Sequence, residues 1–257
     1  MLQLDNLVIE TTRHCNMQCA HCLRGEPQKL TMDRKYLGSI FSQVDYINSI
    51  TFTGGEPSLP SGIKVMEETL GICRWKNIEV GNFYVATNGK QYRRAFCDIL
   101  YSWYQFCSEN EISSVDVSND QFHDDNMNFF YRLEEYFEYE CGMEDFIHKR
   151  NTIGKIDEGF SLINQGRADG RGMKEIKPEK FKLEEYDYER TRISEGAVYL
   201  NCKGNIIRGC DVSYKNQDKP EFIFSKVKNF KIEVKNEMEK YLSKFDYEED
   251  DWQSAYF

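Results

Sequence analysis

Two rhythms of apolar and polar positions alternate along this chain. Short runs rich in β-branched and aromatic residues are each followed by a stretch whose apolar residues recur three and four apart. Residues 7–12, L-V-I-E-T-T, read as a strand that runs into a cysteine-rich loop lasting to Leu30. Thr31 is placed to cap a helix whose apolar face carries Tyr36, Leu37, Ile40, Phe41, Val44 and Ile47. A second strand, S-I-T-F-T, ends at Gly54-Gly55. The alternation continues with a helix over 62–75, a strand over 78–86 ending in T-N-G, and a helix from Gln91 to Cys107. The strand S-S-V-D-V-S and the helix M-N-F-F-Y-R-L-E-E-Y-F-E-Y come next.

Strands that alternate with helical stretches of roughly ten to fifteen residues predict parallel strands joined by right-handed crossovers. The expected fold is α/β, a partial (β/α)6 TIM-like barrel with a small C-terminal hairpin-plus-helix extension. Past residue 140 the rhythm weakens, and only F-S-L-I-N-Q-G reads as a further strand. Residues 169–192, rich in Lys, Glu and Asp with a lone Pro178, read as an exposed linker, so the expected domains are 1–190 and 191–257. Beyond it, A-V-Y-L-N-C, K-G-N and I-I-R-G-C spell a β-hairpin flanked by Cys202 and Cys210. A helix over 231–244 and the acidic D-Y-E-E-D-D complete the pattern.

Composition narrows the class. With 40% hydrophobic and 14% aromatic residues in 257, the chain carries enough apolar surface to build a substantial core. A formal charge of −10 without a long Lys/Arg run predicts no nucleic-acid partner. No stretch reaches the length of a membrane span and the start lacks the pattern of a signal peptide, so no membrane association and a cytoplasmic location are expected. Nine cysteines, an odd number, make a full disulfide framework the wrong default.

Three of those cysteines, Cys15, Cys19 and Cys22, crowd into C-N-M-Q-C-A-H-C directly after the first strand. Thiolates are soft ligands suited to Fe–S clusters or zinc. A cubane cluster usually takes four cysteines, so three local ligands leave one iron open to a substrate or cofactor. Zinc with His14 or His21 as a fourth ligand is the alternative that the cluster alone leaves standing. Cys73, Cys97 and Cys107 sit in helical patterns as small buried hydrophobes, and Cys141 is isolated.

The C-x3-C-x2-C spacing resembles the radical S-adenosylmethionine superfamily, and T-F-T-G-G-E-P at 51–57 looks like that family's glycine-glycine-glutamate motif. V-A-T-N-G at 85–89 and V-D-V-S-N-D at 115–120 come in the family's order, each at the C-terminal end of an expected strand, where α/β folds place their sites. The resemblance covers residues 7–168. It implies a [4Fe-4S] cluster on Cys15, Cys19 and Cys22, S-adenosylmethionine at the open iron, and Gly54, Gly55 and Glu56 holding the cofactor's amino-acid end. It further implies cofactor contacts at Thr87, Asn88, Ser118 and Asp120, although Ser118 and Asp120 serve equally as caps for the next helix. His21 stands where the family commonly has an aromatic residue and is a candidate cofactor neighbour.

The hairpin over 198–211 resembles a truncated SPASM or Twitch extension, with too few cysteines for a second auxiliary cluster. Cys210 is a candidate hydrogen-atom donor. The activity so implied is reductive cleavage of S-adenosylmethionine to a 5′-deoxyadenosyl radical, which abstracts a hydrogen atom from a peptide or small-molecule substrate, with a flavodoxin- or ferredoxin-type electron donor. The alternatives are a glycyl-radical-enzyme activase and a non-catalytic Fe–S or zinc sensor.

Overall fold

The computed structural model describes residues 2–119, 123, 127–150, 165–168, 176–187 and 190–243. Among the described residues ten strands form one sheet: β1 (Leu2–Thr12), β2 (Val44–Gly54), β3 (Glu79–Thr87), β4 (Ser114–Ser118), β5 (Ile147–Arg150), β6 (Lys182–Asp187), β7 (Arg190–Glu195), β8 (Val198–Leu200), β9 (Asn205–Arg208) and β10 (Ile223–Lys226). Its order is β10-β9-β8-β1-β2-β3-β4-β5, and β7, carrying β6, pairs with the first residues of β1. From β1 to β5 every pairing is parallel. The α/β expectation holds, in a sheet that does not close into a barrel.

Helices α1 (Arg34–Ile40), α2 (Pro60–Lys76), α3 (Arg94–Tyr104) and α4 (Met127–Glu134) make the crossovers, and α5 (Phe230–Leu242) comes after β10. One face of the sheet packs on helices. Ile50, Phe52, Phe83, Val85, Val115 and Val117 join Met66, Leu70, Phe96, Leu100 and Trp103 in the main core. Trp103 stacks 5.0 Å from Phe52 and donates its indole N–H to the Met66 carbonyl at 3.2 Å, so its one polar atom is satisfied in the core.

The alternation of a strand sends neighbouring residues to the other face, and there the two halves of the sheet differ. At β1, β8 and β9, Val8, Tyr199 and Ile207 are covered by Val212 and Phe222 from the C-terminal segment. At β2 to β4 the same face carries Thr51, Thr53, Tyr84, Asp116 and Ser118, all half-exposed. The sheet is sealed on one flank and open and polar on the other.

Several expected elements shift. The helix begun at Thr31 is only Arg34–Ile40, capped by Asp33, whose carboxylate accepts the Lys35 N–H at 2.9 Å. Val44 and Ile47 belong to β2, where a bulge opposite Leu2 and Gln3 resets the pleat and lets a strand imitate helical spacing. Residues 182–187 and 190–195, of which those up to 192 were expected within a linker, form an antiparallel hairpin that buries Ile193 and pairs Arg192 with Asp5 at 2.6 Å. Its charged outer positions are those of an edge hairpin, which composition alone cannot tell from a loop. The expected hairpin over 198–208 is present, and strands on both sides of residue 190 share the sheet. Of the expected strand F-S-L-I-N-Q-G only Gln165 and Gly166 lie within the described residues, where Gly166–Ala168 is a 3-10 turn. The acidic run from Asp246 lies outside them. No helix among the described residues is long and apolar enough to cross a membrane.

A buried ion pair joins the C-terminal segment to the end of β1. Arg13 Nε lies 2.6 Å from Glu10 Oε1, and neither side chain is exposed. Arg13 also donates to Gln28 at 2.9 Å and Gln217 at 2.7 Å. Glu10 accepts from the Tyr199 hydroxyl at 2.8 Å, Gln217 Nε2 at 3.0 Å and the Cys202 N–H at 3.0 Å. Burial by itself would raise the Glu10 carboxyl. The Arg13 charge and hydrogen bond, the Cys202 N–H and the Arg24 charge outweigh it and hold it below the usual carboxylate range.

Arg13→Ala strands a buried carboxylate and is expected to cost about 3–5 kcal/mol in chemical denaturation; a loss under about 1 kcal/mol would show the pair to be incidental. Because the folded carboxyl is the stronger acid, its contribution is complete above the unfolded value of 4.5 and lost as pH falls through the lower folded value. Glu10→Gln is therefore expected to be least favourable near neutral pH, with the gap to the parent narrowing below 4.5. A gap that stays constant down that range would contradict the assignment.

Candidate functional site

The cysteine loop leaves β1 at Arg13, and the Gly-Gly-Glu segment at the end of β2 fastens its root. The Gly55 N–H donates to the Thr12 carbonyl at 2.6 Å and the Glu56 N–H to the His14 carbonyl at 2.8 Å. Both glycines are required by this approach. Gly54 has φ +132°, and a Cβ on Gly54 or Gly55 would collide with the carbonyl oxygen of Thr12 or His14.

Glu56 links the ends of β2 and β3. Its carboxylate is 1% exposed and accepts from the Ser58 N–H at 2.9 Å, the Thr87 hydroxyl at 2.5 Å and the Asn88 N–H at 2.8 Å. Three of its roughly four lone-pair sites are thus filled from within the chain, leaving one for a further donor.

Asn88 carries the linkage to the first cysteine. Its Oδ1 accepts the Lys90 N–H at 2.9 Å, which fixes which end of the amide is nitrogen. Nδ2 then faces Asn16 Oδ1 at 2.9 Å and Cys15 Sγ at 3.7 Å. The Met17 N–H, 3.4 Å away, is a second donor to the same sulfur. Burial pushes the Cys15 thiol up to about 11; the Met17 N–H works against this, and the nearby Glu56, Cys22 and Cys19 add to it.

Cys19 Sγ lies 3.8 Å from His123 Nε2, and the His123 ring meets His21 edge-on at 5.4 Å between centroids. The Cys22 N–H closes a turn onto the Cys19 carbonyl at 3.1 Å. From the other side, Arg167 donates through Nη1 to the Cys19 carbonyl and through its backbone N–H to the Cys22 carbonyl, each at 3.0 Å. Among the described residues no three His, Cys, Asp or Glu side chains form a ready metal site. The chemistry of the donors suits a cluster nonetheless: three soft thiols on one loop, the first facing two N–H donors that would stabilise anionic sulfur.

The structure therefore gathers Cys15, Cys19, Cys22, His21, Gly54, Gly55, Glu56, Thr87 and Asn88 around the C-terminal ends of β1 to β3. Ser118 ends β4 and is paired in register with Arg150. Asp120 lies outside the described residues. Cys202 is buried, its S–H directed at the Glu10 carbonyl 3.2 Å away. Cys210 is half-buried with Asp211, Arg24 and Glu179 as charged neighbours, and burial raises its thiol to about 11. Neither is drawn toward the loop thiols by any hydrogen bond.

Sequence reasoning missed His123, which lies between motifs and meets Cys19 only through the fold. It also missed Tyr84, whose hydroxyl donates to Asp116 at 2.7 Å and accepts from Arg150 at 2.7 Å on the open face of the sheet. Strand parity could have found the pair Tyr84 and Asp116, since both share a face with the rim residues Asn88 and Ser118.

No family model and no curated protein matches the chain. Among solved structures, native anSMEcpe with bound AdoMet and Cp18Cys peptide superposes with a TM-score of 0.49 at 14% identity, covering 90% of this chain and 80% of that one. Streptococcus suis SuiB bound to precursor peptide SuiA gives 0.38 at 13% identity, covering 85% and 62%. Likeness at this level carries no argument about function, which rests on this chain's own residues.

Gly55→Ala tests the seam at the loop's root. The added methyl must displace the His14 carbonyl, for an expected loss of about 1–3 kcal/mol and a reconstituted iron content below that of the parent. Full stability with full iron would show that the close approach is dispensable.

Proposed function

We propose that this chain is a radical S-adenosylmethionine enzyme acting on a peptide or small-molecule substrate. The observation that carries the reading is the loop of Cys15, Cys19 and Cys22, fastened at its root by Gly55 and Glu56 and touched at Cys15 by Asn88. Cys15, Cys19 and Cys22 would hold the cluster. Such a cluster, with S-adenosylmethionine bound, would supply one-electron reductive cleavage of the sulfonium.

The chain's own part is placement. Gly54 and Gly55 let the backbone come close to the amino-acid end of the cofactor, and Glu56 retains one acceptor site for its ammonium. Asn88 and the Met17 N–H direct donors at the Cys15 sulfur, an arrangement of the kind that tunes cluster potential. Thr87 keeps Glu56 in place, while His21, Ser118 and Asp120 are assigned to the cofactor's surroundings. The open polar face of β2 to β4 is assigned to the substrate.

The test is anaerobic reconstitution, then iron counting and an assay for 5′-deoxyadenosine with a chemical reductant and S-adenosylmethionine. About four irons per chain and release of 5′-deoxyadenosine are expected, with both lost in Cys15→Ala. Asn88→Ala is expected to keep the iron while changing the spectrum or potential of the cluster. A protein that binds zinc, or a cluster whose spectrum ignores S-adenosylmethionine, would reject the proposal in favour of a sensor.

A further inference from the structure

A groove of about 720 Å³ opens behind the cysteine loop, between Arg24–Gln28, the turn at 165–167 and residues 213–219. Among the described residues Arg24, Arg167, Lys215 and Lys219 line it, with two carboxylates, Glu26 and Asp218. Both carboxylates are already engaged: Glu26 lies 2.8 Å from Arg167 Nε, and Asp218 lies 2.7 Å from Lys203 Nζ. Lys215 and Lys219 are exposed, and among the described residues no carboxylate pairs with either. This local surplus of positive charge runs against a chain whose net charge is −10.

The groove is also bonded to the loop it backs. Arg167 donates to the carbonyls of Cys19 and Cys22 at 3.0 Å each, and the Tyr214 N–H donates to the Arg24 carbonyl at 3.0 Å. Arg167 thus lines the groove and bonds the backbone of two of the assigned iron ligands. A cationic recess on an acidic protein attracts a partner of opposite charge and orients it before contact.

We infer that this groove docks an acidic one-electron carrier protein of flavodoxin or ferredoxin type and sets its approach to Cys19 and Cys22; the inference rests on the proposed radical chemistry, which needs an external electron. In the encounter the reduced carrier gives up one electron and the cluster accepts it, with no bond made or broken in the groove. Lys215 and Lys219 supply attraction, and Arg167 joins the docked edge to the loop.

The test uses the reconstituted protein, a flavodoxin and a plant-type ferredoxin as probes, and the variant Lys215→Glu/Lys219→Glu. Binding of the oxidised carriers is measured by calorimetry at low ionic strength. At least one carrier is expected to bind the parent, and to bind the variant about tenfold or more weakly; affinity for the parent is also expected to fall as the Debye length shrinks from about 30 Å to about 8 Å. Release of 5′-deoxyadenosine driven by the carrier should fall in the variant, while release driven by dithionite stays at the parent level. Equal binding by parent and variant, or no binding of either carrier to the parent, overturns the inference. So does a parallel fall in the dithionite-driven release, because the groove would then serve the site itself. Failure of dithionite to drive release from the parent would sink the radical reading, and the binding measurement would still decide the docking.

Discussion

The interaction on which the rest depends is the buried pair of Glu10 and Arg13 at the end of the central strand. Both side chains are fully enclosed, so each charge requires the other, and the remaining hydrogen-bonding positions have to be filled from elsewhere in the fold. They are filled by Tyr199, Cys202 and Gln217, which come from the far end of the chain. The C-terminal segment thereby becomes part of the foundation of a loop whose first cysteine comes two residues after Arg13. A hairpin that by sequence looks like an appendage is, by its hydrogen bonds, a wall of the site.

Glu56 repeats the device at the next strand. It is buried and filled by donors from β3, the turn after it and Ser58, so a carboxylate joins the ends of β2 and β3 beyond the last pair of their ladder. Apolar contacts tolerate sliding, whereas three hydrogen bonds to one rigid group do not. Asn88 inherits that definition through its own N–H and passes it on to Cys15. The polar atoms near the loop thus form one path, Ser58 and Thr87 to Glu56, Glu56 to Asn88, and Asn88 to the sulfur.

How much of this could be read in advance varies with the range of the interaction. The parallel strands and the approach of Gly54 and Gly55 are local: β-branched runs bounded by glycines declare themselves within a dozen residues. Thr87 and Asn88 were singled out because they end a strand, whereas their hydrogen bonds to Glu56 span some thirty residues and were not anticipated. Val44 and Ile47 misled because a bulge gave a strand the spacing of a helix. Residues 182–192 misled because the edge hairpin they enter needs only Ile193 and a few neighbours inside, leaving its charges on view. His123 and Arg167 reach the loop through contacts more than a hundred residues apart in sequence, a separation at which no periodicity operates.

The two halves of one face of the sheet differ in how much room they leave. Beside β8 and β9 the face is covered by Tyr199, Val212 and Phe222. Beside β3 and β4 the same face is held open, and Tyr84 ties Asp116 to Arg150 across three neighbouring strands. Burial and the Asp116 hydrogen bond push the Tyr84 hydroxyl above its ordinary range, which keeps it neutral, donating to the carboxylate and accepting from the guanidinium. Asp116 therefore keeps one carboxylate oxygen for a donor from outside, on the face that Asn88 and Ser118 border at the rim.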